Sequence, residues 1–290
     1  MDQILQHGVN GLVLGATYAL LGIGLTLIFG IMRVVNFAHG ELYALGAYAA
    51  YAMVSLLNLD FFSALFFSAV IGFLFGWAIE FVLLRRCKLE NIDEVMLIMI
   101  GVMIIMQNAE LMLWGGVGKV VPSPFPQEPL VLGEVSLSPT RLFVLCAAAV
   151  LLVAFYFVIE RSRLGMAMRA TFQDRDAAKI VGVNVSLIYT LTFALGSSLA
   201  AITGALLAPI FMVTPTMGDL ASLKAFAIVI LGGLGNIAGA ALGGFALAMI
   251  EEFGAGYVST AYRDALGFLV ILAVMIIRPQ GLFSVKERVG

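Results

Sequence analysis

Asn36, His39 and Glu41 stand together at the end of the first long apolar run, beside Arg33. Polar side chains are costly inside a bilayer unless paired or hydrated. Two readings of the cluster follow. It is an ordinary solvated turn at the cytoplasmic surface, or it is a helix break at membrane depth whose polar groups line a water-filled route. Asn236, at the end of Gly232-Gly-Leu-Gly-Asn236, poses the same choice. Either asparagine could also cap the helix that follows it. Glu80, Glu110, Glu251 and Glu252 fall within or near apolar runs and read as carboxylates at the membrane interface.

Familiar catalytic patterns are missing. Gly118-Lys119-Val120 is not a phosphate-binding loop, because no Ser or Thr follows the lysine and position 113 is leucine. Gly233-x-Gly235-x-x-Ala238 fits a dinucleotide fingerprint only superficially, since no strand precedes it. There is no HExxH, GxSxG or paired CxxC, and the chain has two histidines. No catalytic residue, metal site or cofactor is expected, and the chain is not expected to be an enzyme. Energy for any active transport must come from a partner or an ion gradient.

The surrounding composition explains why so few polar residues matter. Of 290 residues, 62% are hydrophobic and 12% charged, and mean hydropathy is +1.06. Soluble proteins sit near ~45–50% apolar and ~25% charged, so a soluble domain is excluded. The 31 glycines follow no three-residue period, which excludes collagen. The apolar runs are continuous and do not alternate, which points to helices and away from an outer-membrane barrel. A net charge of −2 offers nothing to nucleic acid. Cys87 and Cys146 are too isolated for a disulfide framework. The first apolar run extends beyond Gly30 with no basic residue before it, so it reads as a retained span and not a cleaved signal peptide.

Spans are expected near Gly11–Met32, Phe61–Leu84, Val95–Trp114, Leu142–Ile159 and Ser186–Ala208. Shorter ones are expected near Leu42–Leu57, Leu223–Leu234, Ala238–Ile250 and Leu266–Ile277. The total is eight or nine, according to whether 223–234 crosses fully. The expected fold class is therefore an all-α integral membrane protein, a polytopic bundle of one domain over 1–290. Strict alternation puts 12 of the 16 basic residues on one side: Arg33, Arg85, Arg86, Lys88, Arg161, Arg163, Arg169, Arg175, Lys179, Arg278, Lys286 and Arg288. Lys119, Arg141, Lys224 and Arg263 fall on the other. Basic residues favour the cytoplasm, so the C-terminus is expected inside and the N-terminus outside. The proline-rich stretch 115–140 is then an outer connector, either a plain loop or part of a docking surface for an external partner. The Met-rich stretch 96–112 reads as packing or lipid-facing.

Ala44-Leu-Gly-Ala-Tyr-Ala49 resembles Ala241-Leu-Gly-Gly-Phe-Ala246, and each follows an Asn-x-Ala after an inward span. The two units suggest a parallel repeat with halves 11–84 and 215–278 and discontinuous helices, between which substrate passes in transporters.

Between spans, 163–184 alternates apolar and charged residues. Ser162 can start a helix and Gly182 can end it. Such an amphipathic helix lies on the lipid surface or inserts into a groove of a soluble partner. Both signs of charge and small residues such as Gly165, Ala170 and Ala177 favour the partner.

Ile31-Met-Arg-Val-Val-Asn-Phe-Ala-His-Gly-Glu-Leu-Tyr-Ala-Leu-Gly-Ala-Tyr48 resembles the early signature of branched-chain amino acid ABC transporter permeases. So do the Leu-Gly…Arg-Ala…Asp…Ala…Gly segment over 163–183, Leu231–Ala240 and Arg278-Pro-Gln-Gly-Leu-Phe283, with a particular likeness to the shorter permease of the pair. Related permeases for urea and short-chain amides share the outline. The resemblance implies an importer in the bacterial inner membrane. Two permeases, copies or paralogues, form the pore; two cytoplasmic ATPases bind beneath; and a periplasmic binding protein delivers substrate. It turns 163–184 into the coupling segment, with Gly165, Arg169, Ala170, Asp174, Ala177 and Gly182 as its candidate residues. It also favours Asn36, His39, Glu41 and Asn236 as lining of the pathway. An ion-coupled secondary transporter and a channel or structural membrane subunit are the remaining alternatives.

Overall fold

The computed structural model describes residues 2–87, 91–132, 135–278 and 281–282. Lys88, Lys286 and Arg288, and half of the Arg278–Phe283 motif, lie outside them.

Eleven α-helices account for most of the described chain: α1 (Asp2–Met32), α2 (His39–Tyr51), α3 (Phe61–Val82), α4 (Ile92–Trp114), α5 (Pro139–Arg161), α6 (Arg163–Gln173), α7 (Arg175–Ile180), α8 (Val185–Leu207), α9 (Met217–Gly232), α10 (Ile237–Tyr257) and α11 (Arg263–Ile277). Two short antiparallel strands, β1 (Leu130–Leu132) and β2 (Val135–Leu137), interrupt the proline-rich connector. Among the described residues, seven helices are long and apolar enough to cross a membrane: α1, α3, α4, α5, α8, α10 and α11, the last counted from Thr260. The chain is thus a multi-pass membrane protein. α2 and α9 fall on two of the four shorter spans expected from the sequence, near 42–57 and 223–234.

α1, α2, α8, α9 and α10 form the centre, and α3, α4, α5 and α11 surround them. α1 lies along α10, while α8 lies against both α2 and α3. Close packing in a membrane needs small residues, because lipid supplies no hydrophobic drive between helices. Gly46 and Gly204 fill this role where α2 crosses α8. A Cβ at Gly46 would come 1.9 Å from the Ala201 carbonyl oxygen, and one at Gly204 would come 1.9 Å from that of Tyr43. Large apolar side chains such as Phe66, Leu97, Ile105, Met112, Val150 and Ile276 point away from the bundle, as lipid contact requires.

The loops gather at two ends. One end carries the turn at Arg33, 83–87, 162–184, 233–236, 278 and 281–282, and nearly all the described loop cations. There the Leu282 N–H donates to the Leu231 carbonyl, 2.8 Å away, tucking the end of the described chain under α9. The opposite end carries the N-terminus, the 115–138 connector and the loop after α8. Gln6 exchanges two 2.9 Å hydrogen bonds with the Ser136 backbone, and Lys119 pairs with Val213 through backbone bonds of 2.8 and 2.9 Å. Asp60 caps α3 by accepting from the Ser63 N–H at 2.8 Å.

Candidate functional site

The break after α1 is deep. Arg33 takes a left-handed backbone (φ 56°) that ends α1, and the chain then turns back along the helix it has left. His39, the first residue of α2, has its Nε2 3.1 Å from the carbonyl of Leu21. A carbonyl only accepts, so Nε2 carries the hydrogen. Leu21 lies eleven residues before the end of α1 at Met32, roughly 16 Å at ~1.5 Å per residue. Residues 33–38 therefore run as non-helical backbone inside the bundle, and α2 starts about a third of the way back along α1. The cluster is therefore packed inside the bundle and is not a solvated surface turn. Such backbone is tolerated at membrane depth only where protein satisfies it. Ser222 of α9 does so, accepting from the Gly40 N–H at 3.0 Å and donating to the Phe37 carbonyl at 3.2 Å. Gly40 permits the approach, since a Cβ there would lie 1.9 Å from the Gly218 carbonyl oxygen.

Asn36, His39 and Glu41 are all fully buried. Asn36 Oδ1 accepts from the Ala38 N–H at 3.1 Å, a local turn, and does not cap α2, whose N-cap residue is Ala38 with no side-chain bond. Asn36 Nδ2, His39 Nδ1 and both Glu41 oxygens carry no hydrogen bond among the described residues. Asn236 is different. It is half-buried at the basic end, where its Oδ1 accepts from the Gly239 N–H at 3.0 Å and caps α10. The two asparagines, alike in sequence, thus sit at different depths with different partners.

The cytoplasmic-type segment forms two helices and not one. Ser162 caps α6 through the Gly165 N–H at 2.9 Å, as its position suggests. Asp174 then leaves helical geometry (φ −154°, ψ 111°) and starts α7, its Oδ1 accepting from the Asp176 and Ala177 N–H groups at 2.8 and 2.9 Å. These two donors, that of Ala177 foremost, hold the exposed Asp174 carboxyl below the usual carboxylate range. Gly182, at φ +91°, follows the end of α7. Gly165 is buried at the α5–α6 corner, where a Cβ would meet the Ile159 carbonyl oxygen at 2.1 Å. Arg169 ties back to α5 through the Ile159 carbonyl and an ion pair with Glu160 at 3.3 Å. Ala170 is half-buried and Ala177 exposed. The free apolar face consists instead of Met166, Phe172, Ile180 and Val181, the last two 86% and 77% exposed. Phe172 also reaches inward, its ring bordering Gly30 at the end of α1 and Gly235 in the α9–α10 turn.

The four carboxylates expected at the interface are all buried. Glu80 accepts from Thr190 at 2.6 Å, and Arg85 stands 3.6 Å away. Glu251 bonds Lys224 and the Tyr18 hydroxyl, each at 2.8 Å, and Lys224 also pairs with Asp264 at 2.8 Å. Arg263 pairs with Glu252, and His7 lies 3.7 Å from Glu252. Lys224 and Arg263 are therefore internal counter-ions joining α1, α9, α10 and α11, not loop charges. Their partners are too distant along the chain for any local pattern to pair them. Glu110 has no such partner among the described residues.

The family described as branched-chain amino acid transport system / permease component matches residues 8–277. The chain is 35% identical to the high-affinity branched-chain amino acid transport system permease protein BraD of Pseudomonas aeruginosa, over 98% of this chain and 96% of that protein. It is 31% identical to the corresponding protein LivH of Escherichia coli, over the same shares. It is 24% identical to LivM of Escherichia coli, over 93% of this chain and 68% of that protein. No solved structure matches.

Proposed function

The chain belongs to the permease-component family of branched-chain amino acid transport systems, and on that premise we propose that it is one half of the membrane pathway of an ATP-driven importer of leucine, isoleucine and valine. The observation that carries this reading is the pair α6–α7. Its exposed apolar face of Met166, Phe172, Ile180 and Val181 lies at the basic end, and Phe172 touches two helix breaks. A helix pair of this kind suits a groove on a soluble subunit, and a cytoplasmic ATPase supplies the hydrolysis for which this chain has no motif. Basic loops favour the cytoplasm, so that end faces inward and the N-terminus and the 115–138 connector face outward, where a periplasmic binding protein docks. The likeness to both LivH and LivM supports a second permease, of related sequence, as the other half.

Asn36, His39 and Glu41 belong to this reading as pathway groups closed off in the present conformation, and Asn236 as the cap beneath them. The segments 11–84 and 215–278 form its repeat halves, each with an interrupted helix.

Reconstitution in proteoliposomes tests the proposal. Leucine uptake should require ATP, the ATPases and the binding protein together, and excess urea should not compete. Uptake driven by an ion gradient without ATPases overturns the importer. Displacement of label by urea or acetamide, with leucine not carried, overturns the substrate.

A further inference from the structure

Only one side of α9 is covered by the rest of the chain. Ala221, Ser222, Ala225 and Ile228 are buried where α9 packs on α1, α2 and α10. The other side, at the helical spacing 219, 223, 226 and 230, is partly open: Asp219, Phe226 and Ile230 are half-buried and Leu223 is 51% exposed. Asp219 stands thirteen residues from Gly232 at the basic end, roughly 20 Å at ~1.5 Å per residue, inside a hydrocarbon core ~30 Å thick. Its neighbour Gly218 packs on the break after α1, where a Cβ would come 2.5 Å from a Glu41 carboxyl oxygen. Asp219 Oδ2 accepts from Gln107 Nε2 of α4 at 2.9 Å, and no cation pairs with it among the described residues. Lys224, five residues on, is taken by Glu251 and Asp264. The first turn of a helix suits an acid, yet an ionisable group at this depth faces a bundle interior or a water-filled route and not lipid. From Asp219 toward the basic end the stripe is apolar, and Phe226 meets Phe37 of the break at 5.3 Å between ring centres. One acid thus heads a run of aliphatic and aromatic side chains.

We propose that this side of α9 is a wall of the translocation route, where Asp219, steadied by Gln107, receives the ammonium of an aliphatic α-amino acid whose side chain passes along Leu223, Phe226 and Phe37. The proposal rests on the transport reading above and names the contact that the cargo makes. Charge complementarity favours this occupant: a lipid tail brings no cation to the carboxylate. Position favours it too, because the stripe runs from mid-membrane to the basic end, which is the direction of import.

The test uses the complete importer in proteoliposomes. Asp219→Asn keeps an acceptor for Gln107 and removes the charge. It should lower leucine uptake about tenfold or more, the scale of a lost charge-assisted hydrogen bond, while the subunits stay assembled and the binding protein still stimulates ATP hydrolysis. Asp219→Glu, which keeps the charge, should recover part of the uptake. In a background lacking Cys87 and Cys146, Leu223→Cys should react with a small water-soluble methanethiosulfonate during turnover, and Phe66→Cys, on the lipid side of α3, should not. Uptake by Asp219→Asn at the wild-type rate overturns the contact while leaving the importer intact. Equal losses in Asp219→Asn and Asp219→Glu, with assembly unchanged, mark a geometric role and overturn the charge contact. A Leu223→Cys that reacts in no state, whether resting, with binding protein or during ATP hydrolysis, overturns the route. Loss of the second permease from the Asp219→Asn complex assigns the carboxylate to a cation of that subunit, and the cargo contact falls with it. A wild-type complex that carries no leucine overturns both readings together.

Discussion

Phe172 of α6 lies against Gly235 of the α9–α10 turn, so closely that a Cβ on the glycine would come 3.2 Å from Phe172 Cε2. Gly235 has φ +81°, a backbone that a side chain would strain. The same ring borders Gly30, so one aromatic side chain joins the exposed helix pair to the ends of α1 and α9. A push on α6 reaches both by direct contact. Phe172→Ala should leave ATPase subunits bound and hydrolysing while leucine carried per ATP drops. Gly235→Ala should destabilise by about 1–2 kcal/mol, the cost of a left-handed L-residue, seen as a lower unfolding temperature in detergent. An unchanged transport-to-hydrolysis ratio in Phe172→Ala would refute the contact's role.

The proposed orientation is open to direct measurement. In a background lacking Cys87 and Cys146, a cysteine at Lys119 should react with an impermeant reagent on intact cells. A cysteine at Ile180, which is 86% exposed at the opposite end, should react only after the membrane is opened. Labelling of position 180 in intact cells inverts the topology.

Lys224 is held by Glu251, Tyr18 and Asp264. Lys224→Met leaves Glu251, 1% exposed, without its principal counter-ion, and breaking one side of a buried pair costs about 3–5 kcal/mol. Lys224→Met should therefore lower thermal stability sharply. Lys224→Met with Glu251→Gln should recover part of the loss, because the stranded charge is gone. Equal stability of the single and double variants argues against the pairing.

Asp174 caps α7 with its ionised carboxylate. Its carboxyl is held below the usual range in the folded state, so the stabilisation is complete above the carboxyl's ordinary unfolded value. It fades as pH falls through the lowered folded value. Protection of the Asp176 and Ala177 amides, measured against their intrinsic exchange rates at each pH, should fall on acidification in the wild type. In Asp174→Asn, whose amide oxygen still caps, that pH dependence should disappear. In Asp174→Ala these two amides should be weakly protected at every pH. A pH-independent wild type would show that the carboxylate is not the cap.

The membrane class of this chain, the crowding of its cations at one end, the Ser162 cap and the stop at Gly182 are all legible in the sequence. Each depends on hydropathy or on contacts within a few residues. The family is legible as well, since Asn36–Glu41 and Leu231–Ala240 are contiguous motifs. The depth of His39 is not, because a surface turn and a break inside the bundle share one local pattern. Only the packing of α1, α2 and α9 decides between them, through Leu21 and Ser222. The division of 163–184 at Asp174 is hidden in the sequence because an aspartate suits a helix surface as well as a cap. The segment's exposed apolar face becomes visible only once α5 has covered Gly165. Glu251 and Glu110 look equivalent along the chain. Tertiary structure separates them by bringing Lys224 to the first and an apolar cleft to the second. Burial and pairing belong to elements distant in sequence that meet in space, and no local run of residues specifies which will meet.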